Sequence, residues 1–375
     1  MTRATAAATV AALALAAGCG GGDGRPDGGA RHDRPRHTGG GGANGDRPAR
    51  PTLRQAIGQR FVFPFAGTRP PRALKRRIAR GEAAGVILFA RNVAGPAQVR
   101  AAVRRLQAIA RPAGLDAPLL VMIDQEGGAV RRLPGPPVAA AAQTATPDAA
   151  RANGRAAAAL LRSAGVNVDL APVVDVARPG GAMDREQRTY GSDAATVTQR
   201  AGAFAAGLRA GGVEPVLKHF PGFGAATINT DDGAARVDLP LATLRRIDGA
   251  PYRTLHPRAV MLSTAIYPQV DPRPAAFSRR WVTAELRDRL GFGGVTITDD
   301  LEAPAVAQFG EPAQLAFFAM RAGVDLPLFA RSYAVAERAA EGLERAVRSG
   351  AMPRADLDAG VRRVLAWRSA LGARQ

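Results

Sequence analysis

The stretch Lys218-His219-Phe220-Pro221-Gly222-Phe223-Gly224 puts a cation, an imidazole and two glycines where an apolar run (Val213, Val216, Leu217) stops and a turn begins. Such a set suits a loop that binds a polyol. The charged donors reach hydroxyls, and the glycines let the backbone turn tightly. A few residues on, Asn229-Thr230-Asp231-Asp232 offers carboxylates on the same loop. Other apolar runs also end in polar groups: Arg91-Asn92, Asp124-Gln125-Glu126-Gly127-Gly128, Asp175 and Asp299-Asp300. Any one of these could be a helix cap or a buried structural pair. Five of them at the ends of successive runs point to one shared rim.

The elements that must position them follow from periodicity. Eight apolar runs lie at Arg60–Phe65, Gly85–Phe89, Pro118–Ile123, Val166–Val174, Val213–Leu217, Ala259–Ser263, Val295–Thr298 and Val324–Phe329. Between them lie helical patterns, in which Val99, Val103, Leu106 and Ile109 share one face and Val197, Ala201, Phe204 and Leu208 another. Continuous apolar strands alternating with amphipathic helices read as a parallel sheet covered by helices. Eight such units over 51–375 predict an α/β fold of the (β/α)8 TIM-barrel type, as a single domain, whose C-terminal strand ends form the active face. A doubly wound open sheet is the alternative, weakened because no phosphate-binding glycine fingerprint follows the first strand. Pro327 removes a ladder donor from the last run, which is expected to be irregular. Trp281 and Trp367 read as helix core.

Ahead of the domain, Arg3 precedes an apolar stretch from Ala6 to Ala17 that ends in Leu15-Ala16-Ala17-Gly18-Cys19. It is too short to span a bilayer and reads as a signal peptide over 1–19. Small residues before a cysteine resemble a bacterial lipobox, so Cys19 is the expected lipidation site, with an extracytoplasmic, membrane-anchored protein as the consequence and a plainly secreted one as the alternative. Residues 20–50 are Gly, Pro, Asp and Arg with almost no apolar side chain, the composition of a disordered tether.

The formal charge of +19 invites a nucleic-acid partner, but only two of the 51 basic residues are lysines, and the arginines are spread without aromatic interleaving. No nucleic acid is expected. Attraction to an envelope polymer or lipid headgroups fits the charge better. A single cysteine excludes an internal disulfide, and the four histidines have no ligand-like spacing, so neither a metal nor a cofactor is expected.

The ordered motifs resemble those of family 3 glycoside hydrolases, in particular the bacterial single-domain β-N-acetylglucosaminidases (β-N-acetylhexosaminidases). Ile87-Leu88-Phe89-Ala90-Arg91-Asn92 resembles the family's ILFxRN, and Ile123 to Gly128 with Val130 and Arg132 its DQEGGxVxR. Asn167 to Val176 resembles its N-x-APVxDV strand, Arg188 to Asp193 its RSFGSD, the Lys218 block its KHFPGHG, and Thr298 to Leu301 its SDDL. The resemblance runs from about Arg54 to Leu371. It implies a retaining hydrolase in which Asp299 is the nucleophile and a second group about 5 Å away donates the proton. Asp300 is then structural, a candidate cap for the following helix. By the same carry-over Asp124, Arg132, Arg188, Lys218 and His219 would hold sugar hydroxyls. The implied substrate is a terminal β-linked N-acetylhexosamine in chitin-type oligosaccharides or muropeptides, and a monomer is expected.

The sequence departs from the family where the proton donor sits. Counting from Lys218, Asn229 falls on the Asp of the family's DSH, Thr230 on the Ser and Asp231 on the donor His. Phe223 replaces the His of KHFPGHG, and Thr264 a further His after the sixth strand. Two readings follow. In one, Asp231 or Asp232 is the acid/base, and Asn229 suits it because a second carboxylate there would repel it. In the other, the donor is lost and the barrel is a saccharide-binding pseudoenzyme.

Overall fold

The computed structural model describes residues 50–373. The expected signal peptide, Cys19 and all of the linker but Arg50 lie outside the described residues. Five short strands, β1 (Val62–Phe63), β2 (Gly85–Ile87), β3 (Leu120–Ile123), β4 (Val168–Asp169) and β5 (Glu214–Pro215), pair in that order as one parallel sheet. β6 (Leu217–Phe220), β7 (Ala259–Leu262) and β8 (Val295–Thr298) form a second parallel sheet in chain order. Val216 alone separates β5 from β6, and a parallel bridge between Val173 and Lys218 links the two sheets. The predicted fifth run, Val213–Leu217, is thus split and continues further than expected.

The last run makes a single parallel bridge, Leu326 to Ile297. Pro327 has no amide proton to donate, and the Leu328 amide is taken by the Thr298 hydroxyl at 2.9 Å. Among the described residues no backbone ladder joins this segment to β1. Side chains meet there instead: Arg60 Nη2 donates to the Val324 carbonyl at 2.6 Å, and the Phe61 and Phe329 rings stack 6.2 Å apart.

Successive strand residues face opposite sides, so the strands feed two cores. One packs Phe61, Phe63, Val86, Val121 and Leu262 against the helices, and the other gathers Val62, Ile87, Met122, Val168, Met261, Ile297 and Leu326 between the strands. Helix Pro96–Gln107 buries Val99, Val103 and Leu106, with Ile109 just past its end. Helix Ala194–Ala210 is capped by Asp193, whose carboxylate accepts from the Thr196 amide at 2.8 Å, and it buries Val197, Ala201, Phe204 and Leu208. It crosses helix Pro147–Ser163 closely enough that a Cβ on Gly154 would lie 2.2 Å from the Phe204 carbonyl oxygen. Trp281 and Trp367 are both buried, as read from the sequence.

Candidate active site

Parallel strands bring their C-terminal ends to one side, and there the loops enclose a cavity of about 410 Å³. Asp124, Arg132, Arg188, Lys218, His219, Asp231, Asp299 and Asp300 all line it. Asp232 does not. Its amide closes a turn onto the Asn229 carbonyl at 2.9 Å, and its side chain is exposed.

The floor is a buried ion network. Lys218 Nζ lies 2.8 Å from Asp124 Oδ1 and 2.6 Å from Glu126 Oε1. Arg188 grips Glu126 with two parallel bonds of 2.9 and 2.8 Å, the bidentate geometry a guanidinium favours. Arg188 also reaches Glu186 at 3.1 Å, and Glu186 accepts from Asn229 Nδ2 at 2.8 Å. Burial alone would raise the Glu126 carboxyl, but Arg188 and Lys218 outweigh it and hold the group well below the usual carboxylate range. Burial would likewise lower the Lys218 ammonium, yet Asp124 and Glu126 raise it. Charged donors and acceptors are therefore fixed side by side, as polyol hydroxyls require.

The turn that carries Glu126 depends on glycine. Gly127 has φ +113°, and a Cβ there would lie 2.3 Å from the Ala139 carbonyl oxygen. Gln125 ties the loop together. Its Nε2 donates to the Leu133 and Pro136 carbonyls at 3.0 Å each, and its Oε1 accepts the Arg132 and Leu133 amides. Arg132 stands 3.9 Å from Asp124 and near the face of Phe89, which Arg91 also covers at 4.7 Å. Asn92 points into the scaffold, donating to the Phe65 and Gly67 carbonyls at 2.8 Å each.

His219 is set by Asp175, whose Oδ2 lies 2.8 Å from Nδ1, while Oδ1 accepts the His219 and Phe223 amides. Phe223 meets the imidazole edge-on at 5.8 Å and lines the cavity where the motif has His. Thr264, at the other replaced histidine, is buried away from the cavity with its hydroxyl unpartnered.

Asp299 has one donor on each oxygen: the Asp300 amide to Oδ1 at 2.8 Å and the Thr230 hydroxyl to Oδ2 at 3.3 Å. Asp231, on the same loop as Thr230, keeps most of its side chain exposed, and desolvation at the cavity wall and the Asp299 charge raise its carboxyl from its ordinary value, with Arg331 opposing. Asp300 is pushed up to about 6, chiefly by burial. It does not cap helix Pro304–Phe309, whose N-cap is Ala303. Its Oδ1 accepts the Glu302 and Ala330 amides and its Oδ2 the Arg331 guanidinium, so it anchors the segment after the last run.

Glu126 as the bridge of the floor, Glu186, Asn229 as a pin and Arg331 were not singled out from the sequence. Glu126 sat inside a quoted motif, and Arg331 follows the last apolar run, where the strand-end rule could have found it. Among the described residues no group of three or more His, Cys, Asp or Glu is arranged to hold a metal ion.

The ends of two parallel sheets thus carry carboxylates beside a buried cation network, a set of groups that suits a polyol substrate. Residues 52–367 match the glycosyl hydrolase family 3 N-terminal domain, and the chain belongs to that family. It is similar to a secreted glycosyl hydrolase of Arthroderma benhamiae, 38% identical over 330 residues that cover 84% of this chain and 93% of the relative. A beta-hexosaminidase of Pseudomonas aeruginosa is 36% identical over 272 residues, covering 70% of this chain and 80% of the relative. Among solved structures, a beta-N-acetylhexosaminidase from Beutenbergia cavernae superposes with a TM-score of 0.78 at 35% identity, covering 85% of this chain and 99% of that one.

Proposed function

We propose that the chain is a retaining glycosidase that removes a terminal β-linked N-acetylhexosamine from chitin-type or cell-wall oligosaccharides. Asp299 is the nucleophile and Asp231 the acid/base. The observation that carries this is the hydrogen bond from Thr230 to Asp299, which holds the 229–231 loop against the nucleophile while Asp231 lines the same cavity. A retaining mechanism needs two carboxyl groups about 5 Å apart, one ionised to attack and one protonated to donate. The Asp231 carboxyl, raised by partial burial and by Asp299, keeps a proton at higher pH than a free Asp would, which suits the donor. Asp232 is the weaker candidate because it does not line the cavity. Lys218, Arg188, Arg132, Asp124 and His219 would bind the sugar hydroxyls. A carboxylate donor also repels phosphate, so water is the acceptor.

The two sheets are read as parts of one eight-stranded ring, closed at the β1 seam by Arg60, Phe61 and Phe329 rather than by a ladder. The protein is placed outside the cytoplasm, anchored through Cys19. A relative described as secreted agrees with the extracytoplasmic setting.

The test compares p-nitrophenyl β-N-acetylglucosaminide with chitobiose. An activated aryl leaving group barely needs an acid, whereas general acid catalysis of the natural sugar contributes roughly 10²–10⁴-fold. Asp299→Ala should abolish both reactions, and Asp231→Ala should lose chitobiose far more than the aryl substrate. If Asp231→Ala and Asp232→Ala leave the ratio of the two rates unchanged, neither is the donor. If the wild type binds sugar and cleaves nothing, the protein is a pseudoenzyme.

A further inference from the structure

The first two outer helices carry a charge pattern that sugar hydrolysis does not use. Helix Arg72–Ala79 exposes Arg72, Lys75 and Arg76, and helix Pro96–Gln107 exposes Arg100, Arg104 and Arg105. None of these six side chains makes a hydrogen bond or ion pair among the described residues. From Val62 to Leu115 the only acid is Glu82, and it is buried and already paired with Arg80 at 2.8 Å. Elsewhere on the surface the arginines are interspersed with acids, as on helix Tyr333–Arg348, where Glu344 pairs with Arg348.

Between the two basic helices runs a groove of about 300 Å³. Arg69, Lys75 and Arg105 edge it, and Pro70, Ala101 and Leu106 line it with apolar surface. Gln98, also on its wall, already donates to the Thr68 carbonyl and accepts from the Ala94 amide. A groove with cations at its edge and hydrocarbon at its base matches an amphiphile with a phosphate head.

We infer that this face binds the headgroup layer of an anionic phospholipid bilayer. Uncompensated cations on one side of a domain attract a negatively charged leaflet, each worth about fivefold in partition. The bilayer is favoured over a soluble polyanion by the mixed apolar and cationic lining, and by the expected anchor at Cys19, one short segment upstream, which would keep the domain at a membrane.

The experiment uses the full chain with Cys19→Ser, so that no acyl group contributes, in co-sedimentation with phosphatidylcholine vesicles with and without phosphatidylglycerol. Binding is expected only to the anionic vesicles and should fall as salt rises. Replacing Arg72, Lys75, Arg104 and Arg105 by Gln should weaken it at least roughly a hundredfold, with the circular-dichroism melt unchanged. A control with Arg151, Arg155, Arg279 and Arg362, all exposed and on neither basic helix, changed to Gln carries the same charge change. It should bind nearly as the parent does. Equal loss in both variants, equal binding to neutral vesicles, or no vesicle binding alongside tight binding of soluble polyphosphate would each overturn the proposal.

Discussion

Arg331 donates through Nη2 to Asp231 Oδ1 at 3.2 Å, and this bond ties the proposed acid/base to the end of the last strand. The same guanidinium reaches Asp300 through Nε at 3.0 Å, so one side chain spans the residue beside the proposed nucleophile and the group that would serve it. Asp231 also feels Asp299, Arg188 and Asp124. Burial and Asp299 raise its carboxyl, while Arg331 and Arg188 lower it.

Arg331→Gln removes one opposing charge, so the Asp231 carboxyl should rise further. A general acid works while protonated, and its rate falls as pH climbs past its pKa. The alkaline limb of kcat/KM on chitobiose should therefore move to higher pH. An exposed ion pair is worth roughly 0–1 kcal/mol, so the move is up to about 0.7 unit. A limb that stays put, or moves down, would assign the acid elsewhere.

Thr230 tests the other side of the pair. Its hydroxyl donates to Asp299 Oδ2, and a bond to a charged group is worth roughly 1.5–3 kcal/mol. At 3.3 Å the lower figure applies, so Thr230→Val should lower kcat about tenfold on aryl and natural substrates alike. Thr230→Ser should restore most of it. An effect confined to chitobiose would mean that Thr230 serves Asp231 rather than Asp299.

How much of this was legible in the sequence depends on where the information lies. Asp124 and Asp299 directly follow β3 and β8, Lys218 and His219 lie in β6, and Asp175 follows the run that holds β4; parallel pairing carries these run ends to one side wherever the loops go. Glu186 follows the short helix Ala182–Arg185, and its reach toward Arg188 depends on Gln187 at φ +58°, a loop conformation that no periodicity encodes. Arg331 stands two residues past the last run, within reach of the strand-end rule, although Pro327 leaves that run with a single bridge. Asp231 and Asp232 are adjacent and alike in type, and only the turn closed by the Asp232 amide decides which faces the cavity. The contacts of Arg60, Phe61 and Phe329 beside β1 were illegible for a related reason, since side-chain pairing has no period.

Glu126 holds the floor between two cations, so its loss should be felt in stability as well as binding. Removing one member of a buried pair costs roughly 3–5 kcal/mol because its partners stay charged and unpaired. Glu126→Ala should lower the free energy of urea unfolding by that order, and Glu126→Ala with Arg188→Ala by less than the sum of the two single changes. Because the folded group titrates below its ordinary value of 4.5, its contribution is complete above that value and fades as pH falls below it. Additive single and double losses would show that the two residues do not act as a pair.

Asp169 should give the opposite slope. It sits on β4 with Oδ1 accepting the Gln125 amide at 2.9 Å and Oδ2 buried with no hydrogen-bond partner among the described residues. Burial pushes its carboxyl up to about 8, so the folded protein keeps a proton that the unfolded chain releases near its ordinary value of 3.8. Between those two values rising pH favours the unfolded chain, and stability falls. Asn at this position is nearly the same shape and carries no titrating proton, so Asp169→Asn should lack that part of the slope. Urea unfolding at pH values from about 4 to about 8.5 should give curves that converge in acid and separate as pH rises, the variant ending the more stable by a few kcal/mol. Asp300 and Asp248, each pushed up to about 6, remain in both proteins and cancel in the difference. Parallel curves for the two proteins would mean that Asp169 is ionised in the fold and that a partner for Oδ2 supports its charge.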